Sequence, residues 1–279
     1  MNKYFVIGNP INHSLSPQIH NYWFNKYKLF SSNYEKKNLE EKELDRFVKE
    51  IRDKNLNING VNVTVPYKNK IIPFLDELSS HSLATNSVNT IFKKDGKLIG
   101  HNTDTIAFEE TIKKFIEEKL DINVLLIGAG GVSSSILLAL CKLLGRQGKI
   151  YLMNRTKNKA MDLKKLEKKF NLPEIANIEV IDWGEMPDAH LVINTTSLGL
   201  KKKEHFKLDF TKYETFKEKT LFYDLIYNPK ETNFLTDAKK RGNKIMNGKM
   251  MFLLQAKYAF QAWTGIDPEM NEEVIKILD

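Results

Sequence analysis

A chain of 279 residues, 42% hydrophobic and 28% charged, falls in the range of globular proteins and has room for two domains of about 100 to 150 residues each. Its single cysteine, Cys141, excludes an intrachain disulfide framework and a cysteine-rich metal site, and fits a reducing compartment. No apolar run approaches the roughly 18 residues of a membrane span, so we expect a cytoplasmic protein, and the net charge of +8 is spread over segments such as 40–52 and 162–169, where glutamates and aspartates alternate with lysines as on a solvated face rather than a nucleic-acid-binding stripe.

In chain order, strand-like runs at 4–7, 61–65 and 88–92 alternate with helix-like runs at 16–28 and 40–54, the pattern of an α/β layer structure. Lys94, Asp95 and Gly96 between two apolar stretches signal a hairpin, hence an antiparallel edge. A helix over 104–120 follows, with Phe108, Ile112, Phe115 and Ile116 at helical spacing. Then come an apolar strand at 123–127, a glycine-rich turn, a helix over 132–144 and a strand at 149–153, which together form a βαβ unit. Runs at 178–181, 191–194 and 221–223 extend it into a doubly wound sheet. The tail, 248–263 and 272–278, reads as helix too apolar to stand alone.

The glycine turn is Gly128-Ala129-Gly130-Gly131-Val132. Glycines there let the backbone turn sharply and approach a pyrophosphate at the helix N-terminus, although the third small position is Ser133. After the second strand of the unit, a cofactor with a free 2′-hydroxyl would call for Asp or Glu. The chain instead has Asn154, Arg155 and Thr156, then Lys157 and Lys159, donors suited to a 2′-phosphate and therefore to NADP.

In the first half, Ser16 before Pro17 reads as a helix N-cap, and Ser14 adds a second hydroxyl that can face an anion such as a carboxylate. In Asn62-Val63-Thr64-Val65-Pro66-Tyr67-Lys68 the valines alternate toward a core, Asn62 and Thr64 share the other face, and Pro66 ends the pairing. Lys68 is then expected near a helix start, where the helix dipole disfavours an ammonium and favours release of its proton. Asn89 and Asp104 stand at strand ends, with Asp104 also placed to cap its own helix.

Eight runs, HSLSPQIHN (13–21), NVTVPYK (62–68), SVNT (87–90), HNTD (101–104), GAGG (128–131), NRT (154–156), DLIYNP (224–229) and NGKMMFLLQ (247–255), resemble the shikimate dehydrogenase family in order and spacing. The resemblance implies an α/β fold with an N-terminal substrate domain (1–107), completed by C-terminal helices (246–279), and a Rossmann-like NADP-binding domain (108–245). It implies that Lys68 and Asp104 are the catalytic pair, and that Ser14, Ser16, Thr64, Asn89, Tyr227 and Gln255 join them in binding shikimate. It further implies that Leu225 and Gly248 line the NADP site with residues 128–132, Asn154, Arg155, Thr156, Lys157 and Lys159. The partner would be a small molecule rather than nucleic acid or membrane, the chain a monomer or homodimer, and the reaction a step toward aromatic amino acids. Two departures stand out: Ser80, where many members carry an acidic residue, and Ser133-Ser134 after the glycine turn. A quinate or dual quinate/shikimate dehydrogenase is the near alternative, and a catalytically silent sensor of nucleotide and small acid the distant one.

Overall fold

The computed structural model describes residues 1–119, 121–201, 204–215 and 219–278, so the expected helix end at Leu120 lies outside the described residues. The chain divides into two compact units, Met1–Ala107 with the segment from Leu253 onward, and Phe108–Phe252. In chain order the elements are β1 (Asn2–Gly8), α1 (Ser16–Lys26), β2 (Ser32–Asn38), α2 (Leu44–Arg52), β3 (Ile58–Val63), β4 (Glu77–Leu78), α3 (Ser80–Thr85), β5 (Thr90–Lys94), β6 (Lys97–His101) and α4 (Asp104–Glu117). They continue with β7 (Ile122–Ile127), α5 (Ser133–Leu144), β8 (Gly148–Met153), α6 (Lys157–Lys165), β9 (Asn177–Ile181), β10 (Leu191–Asn194), β11 (Leu221–Asp224), α7 (Asn233–Lys240), β12 (Lys244–Asn247), α8 (Lys249–Thr264) and α9 (Glu272–Lys276).

The first unit holds a mixed sheet in the order β2-β1-β3-β5-β6-β4. Strands β2, β1 and β3 run parallel, and β5 is antiparallel to both β3 and β6. The expected hairpin joins β5 to β6 through Asp95 (φ 52°) and Gly96 (φ 77°), the two left-handed residues of a two-residue turn whose twist suits the strands. One face of the sheet is covered by α2, whose Leu44, Phe47, Val48 and Ile51 form a single apolar stripe against Ile7, Val61, Val63, Ile91 and Leu98. The other face carries an aromatic layer, in which Trp23 and Phe24 of α1 meet Phe260 of α8, and Tyr4 of β1 meets Phe24 and Trp263. The Trp263 indole Nε1 donates to the Ile91 carbonyl at 3.0 Å, pinning α8 to the sheet.

The strand expected to run to Val65 ends at Val63. Val65 is 63% exposed rather than part of the core, because the β3 ladder has already stopped. Strand β2 has no counterpart in the sequence reading: of its SNYEKKN only Tyr34 is buried, and backbone pairing with β1 holds the rest at the sheet edge.

The second unit has six strands, all parallel, in the order β12-β11-β10-β7-β8-β9, so β7 is central and strand order reverses beside it. This is the Rossmann arrangement, which leaves a crevice outside the carboxyl ends of the central strands. Val124, Leu125, Leu126 and Ile127 are fully buried because helices cover both faces of a parallel sheet. Helix α5 is buried along nearly its whole length.

Close packing at Gly60 makes a measurable demand. A Cβ there would lie 2.4 Å from Trp263 Nε1, and the indole is rigid and hydrogen-bonded. Gly60→Ala is expected to destabilise the protein by about 1–3 kcal/mol in urea unfolding, with Trp263 fluorescence altered in the native state.

Candidate active site

In the first unit a continuous polar network crosses the sheet where β3, β5 and β6 lie side by side. Lys68 Nζ donates to Asp104 Oδ2 at 2.6 Å, with the Asp104 side chain buried and that of Lys68 partly buried, 6% and 11% exposed. Asp104 Oδ1 accepts from Asn89 Nδ2 at 2.8 Å. The Asn89 carboxamide oxygen in turn accepts from the Thr103 backbone N–H and from the Thr90 hydroxyl. Asn62 Nδ2 donates to the Asn89 carbonyl and to Thr90 Oγ1, each at 3.1 Å. Asn62 Oδ1 accepts from the Tyr34 phenol at 2.6 Å. Ser14 Oγ donates to Ser16 Oγ at 3.1 Å, and both serines are buried. Thr64 follows directly after β3, its N–H donating to Ile7, and the Gln255 carbonyl accepts from the Thr103 hydroxyl. Ser14, Ser16, Thr64, Lys68, Asn89, Asp104 and Gln255 thus all belong to this unit.

Three local expectations are corrected. Ser16 is the first residue of α1, with Leu15 at the cap position and no side-chain cap. Its backbone N–H donates instead to Ser14 Oγ at 3.3 Å. Lys68 does not stand at a helix start: residues 68–70 form turns, and the Lys68 carbonyl accepts from Val88 rather than entering a helical ladder. The Lys68 ammonium is thus set against the Asp104 carboxylate and not against a helix dipole. Nor does Asp104 cap α4. Asn102 Oδ1 accepts from the N–H groups of Asp104 and Thr105, which leaves the Asp104 carboxylate for Lys68. His101, in the same run, lies outside the network and faces a cavity of about 240 Å³ with His81, Tyr258 and Gln261. Burial, followed by the neighbouring His81, lowers its pKa.

In the second unit Gly128 sits at φ +115°, and a Cβ there would meet Thr195 Oγ1 at 2.5 Å, so only glycine fits. At Gly130 an added Cβ would meet nothing within 4 Å, so the turn leaves open space in front of it. Ser133, the departure from a third small apolar position, accepts from the Gly130 N–H at 2.9 Å and bonds Thr195 Oγ1 at 2.7 Å. It locks the turn to the end of β10. Gly131 and Val132 complete the turn before α5, with Ala129 partly exposed. After β8, Asn154 Nδ2 donates to the Thr156 carbonyl, and Arg155, Thr156, Lys157 and Lys159 are exposed around the start of α6, a first turn without an acidic residue. Lys157 pairs with Asp182 at 2.7 Å. After β11, Leu225 and Gly248 approach so closely that a Cβ on residue 248 would lie 2.0 Å from the Leu225 carbonyl oxygen. Tyr227 stacks on Phe252 with ring centroids 4.1 Å apart.

Tyr34, Asn62 and Thr103 were not singled out as site residues from the sequence. Asn62 and Thr103 lie inside runs that were, whereas Tyr34 lies in a polar edge strand with no motif around it.

Residues 6–91 match the sequence profile described as the shikimate dehydrogenase substrate binding domain. A protein of Pelagibacter ubique (strain HTCC1062) named shikimate dehydrogenase (NADP(+)) is 48% identical over 99% of this chain and 98% of its own length. A solved shikimate dehydrogenase in complex with NADP+ superposes with a TM-score of 0.85 at 32% identity, over 100% of this chain and 94% of that one. The shikimate 5-dehydrogenase of Thermus thermophilus in complex with NADP(H) and shikimate does so with a TM-score of 0.83 at 30% identity, over 100% and 98%.

Asp224, at the end of β11, is fully buried and anchors the segment that carries Leu225 and Tyr227. Its carboxylate accepts from Thr232 Oγ1 at 2.6 Å, and from the Ile226 N–H and Asn194 Nδ2 at 3.0 Å each. Burial outweighs these bonds and raises its pKa to about 6. The native state therefore holds this proton more tightly than the unfolded chain. The resulting stability is fully present below the unfolded pKa of about 4 and is lost as pH rises through about 6, on the order of 2–3 kcal/mol. Unfolding free energies measured from pH 4 to 7 are expected to fall by that amount relative to the Asp224→Asn variant, and a flat difference would refute the assignment.

Proposed function

Because the chain belongs to the shikimate dehydrogenase family, we propose that it catalyses the reversible, NADPH-dependent reduction of 3-dehydroshikimate to shikimate, a step of aromatic amino-acid biosynthesis. The observation that carries the reading is the little-exposed Lys68–Asp104 pair, held by Asn89, in the same unit as a pair of hydrogen-bonded, buried serine hydroxyls. The product has the matching chemistry, a carboxylate on one side of a ring and the reacting oxygen on the other.

Ser14 and Ser16 bind the substrate carboxylate, the Ser14 hydroxyl turning its proton from Ser16 to the anion. Thr64, Asn89, Tyr227 and Gln255 hold the ring and its hydroxyls. Lys68 gives its proton to the carbonyl oxygen during reduction and takes it back in the reverse direction. Asp104 holds the ammonium in place through Oδ2 and is itself fixed by Asn89 at Oδ1. Before transfer, the ammonium also stabilises negative charge developing on the oxygen.

A dinucleotide phosphate fits the second unit's residues. The open space at Gly130 is a cradle for a pyrophosphate at the start of α5, and the exposed Arg155 with Thr156, Lys157 and Lys159 suits a 2′-phosphate. NADPH supplies the hydride when bound. Gly128, Ala129, Gly130, Gly131 and Val132 would hold its pyrophosphate, Asn154 would shape the loop of Arg155, and Leu225 and Gly248 would line its other end. The substrate domain is residues 1–107 with the returning C-terminal helices, and the cofactor domain is the stretch of chain between them. Burial pushes the Cys141 thiol up to about 12 and leaves it inert; the enzyme is read as a cytoplasmic monomer or homodimer.

The serine pair and the Arg155 loop favour shikimate and NADP over quinate and NAD. Absorbance at 340 nm with shikimate or quinate, each with NADP or NAD, tests this. Reduction should be greatest with shikimate and NADP, and silence in all four would overturn the reading. In the same assay Lys68→Ala should lose about 10²–10⁴-fold in kcat while binding NADP with near-normal affinity in fluorescence titration. Full activity would remove Lys68 from the proton path.

A further inference from the structure

We infer that Thr195 is a positioning residue for the cofactor, holding the glycine turn in its binding shape through the Ser133 hydroxyl; the inference rests on the NADP reading above. Glycines at 128 and 130 permit the sharp turn but do not enforce it, because a backbone without side chains has more conformations to lose. Something other than glycine must hold the turn. Thr195, directly after β10, reaches both glycine positions. A Cβ on residue 128 would lie 2.5 Å from its hydroxyl, so the turn packs against that oxygen. The same hydroxyl is bonded to Ser133 Oγ at 2.7 Å, and Ser133 Oγ accepts from the Gly130 N–H at 2.9 Å. Ser133 is fully buried and Thr195 is 7% exposed, so water does not compete for these bonds.

Elimination places the protons of this cluster. The Ile127 carbonyl can only accept, and Thr195 Oγ1 lies 2.9 Å from it, so the Thr195 proton goes there. Ser133 then donates to Thr195 Oγ1, while its own oxygen accepts from Gly130. The bonds therefore run one way, from the Gly130 N–H to Ser133, from Ser133 to Thr195, and from Thr195 to the carbonyl that ends β7. Bonds aligned in this way polarise and strengthen one another. The Thr195 backbone N–H donates to the same Ile127 carbonyl at 2.9 Å, which fixes the hydroxyl to the sheet as well as to the turn.

A peptide unit is planar, so fixing the Gly130 N–H fixes the Ala129 carbonyl with it. The flexible part of the turn is thereby set by two side-chain hydroxyls, one of them 62 residues away. The Gly130 N–H is directed at Ser133, and the side of Gly130 where an added Cβ would meet nothing within 4 Å is left for the pyrophosphate. Binding to a turn held in this way loses less conformational entropy than binding to a mobile one. Thr195 lies outside every run that resembles the shikimate dehydrogenase family, and it acts on the cofactor through Ser133 and the turn rather than by touching a reacting atom.

The test is fluorescence titration of the full-length protein with NADPH alone, comparing wild type, Thr195→Ala, Thr195→Ser, Ser133→Ala and the double alanine variant, with thermal midpoints read alongside. Thr195→Ala and Ser133→Ala should each raise the NADPH Kd about fivefold or more, whereas Thr195→Ser, which keeps the hydroxyl, should stay within about twofold of wild type. The double variant should bind within about twofold of the weaker single variant, because both substitutions break one chain. In steady-state shikimate oxidation the NADP KM should rise in parallel, with kcat and the shikimate KM moving less than about threefold. A folded Thr195→Ala protein with the wild-type NADPH Kd overturns the inference, as does an equal loss in Thr195→Ser or a fully additive double variant. If Thr195→Ala does not fold, Ser133→Ala decides in the same titration, and a wild-type Kd there overturns the inference. Failure of the wild type to bind NADPH would overturn the cofactor reading itself and this inference with it, whereas wild-type binding with a Kd unmoved by the substitutions overturns this inference alone.

Discussion

Lys68 and Asp104 meet at 2.6 Å with little access to water. Taking two charges out of water costs several kcal/mol each, and their attraction repays this only when the remaining hydrogen-bonding positions are filled. Much of the first unit's polar interior is arranged to fill them. Asn89 satisfies the second Asp104 oxygen, Asn102 fixes the Asp104 backbone, and Thr103 joins Asn89 to the Gln255 carbonyl in the returning helix. Losing one partner would leave an uncompensated buried charge, so the loops after β3, before β5 and after β6 are held to one geometry by the same pair. The structure thereby turns an energetic liability into a rigid frame for chemistry.

The second unit solves a different problem with backbone rather than charge. Six parallel strands put all their carboxyl ends at one edge, and the segments proposed to hold the cofactor leave from that edge, with Thr195 beside them: the glycine turn after β7, residues 154–159 after β8, and 225–232 after β11. The loops after β7, β10 and β11 are fastened by buried side chains. Ser133 and Thr195 tie the glycine turn to β10, while Asp224 gathers Asn194, Ile226 and Thr232. The serine that departs from the family's small apolar residues is accommodated because Thr195 and the Gly130 N–H use its hydroxyl.

Where interactions are local, the amino-acid order alone was a sufficient guide. The Asp95-Gly96 turn, the apolar stripe of α2, the all-apolar β7 and the strand–glycine turn–helix of the second unit are each decided within a few residues, by side-chain period or by positive φ. The residues proposed for the site, Ser14, Ser16, Lys68, Asn89 and Asp104, were pointed to by the resemblance of the runs that hold them to a known family, not by spacing alone. What those runs could not reveal is who partners whom. Asp104 was expected to cap its own helix and Lys68 to begin one, because short-range rules favour such assignments. In the folded chain Asn102 caps the helix and a pair 36 residues apart takes precedence.

By itself, the sequence determined the fold class and the glycine turn, because these follow from periodicities of two and 3.6 residues and from backbone freedom at glycine. Tertiary structure alone decided that β2 exists, since its ladder depends on β1 and its side chains carry no apolar alternation. It also decided that Tyr34 reaches Asn62 across 28 residues, and that Ser133 reaches Thr195 across 62. The physical reason is common to all three: a hydrogen bond between distant segments leaves no periodic trace in either, and it forms only once burial has excluded the water that would otherwise satisfy both groups.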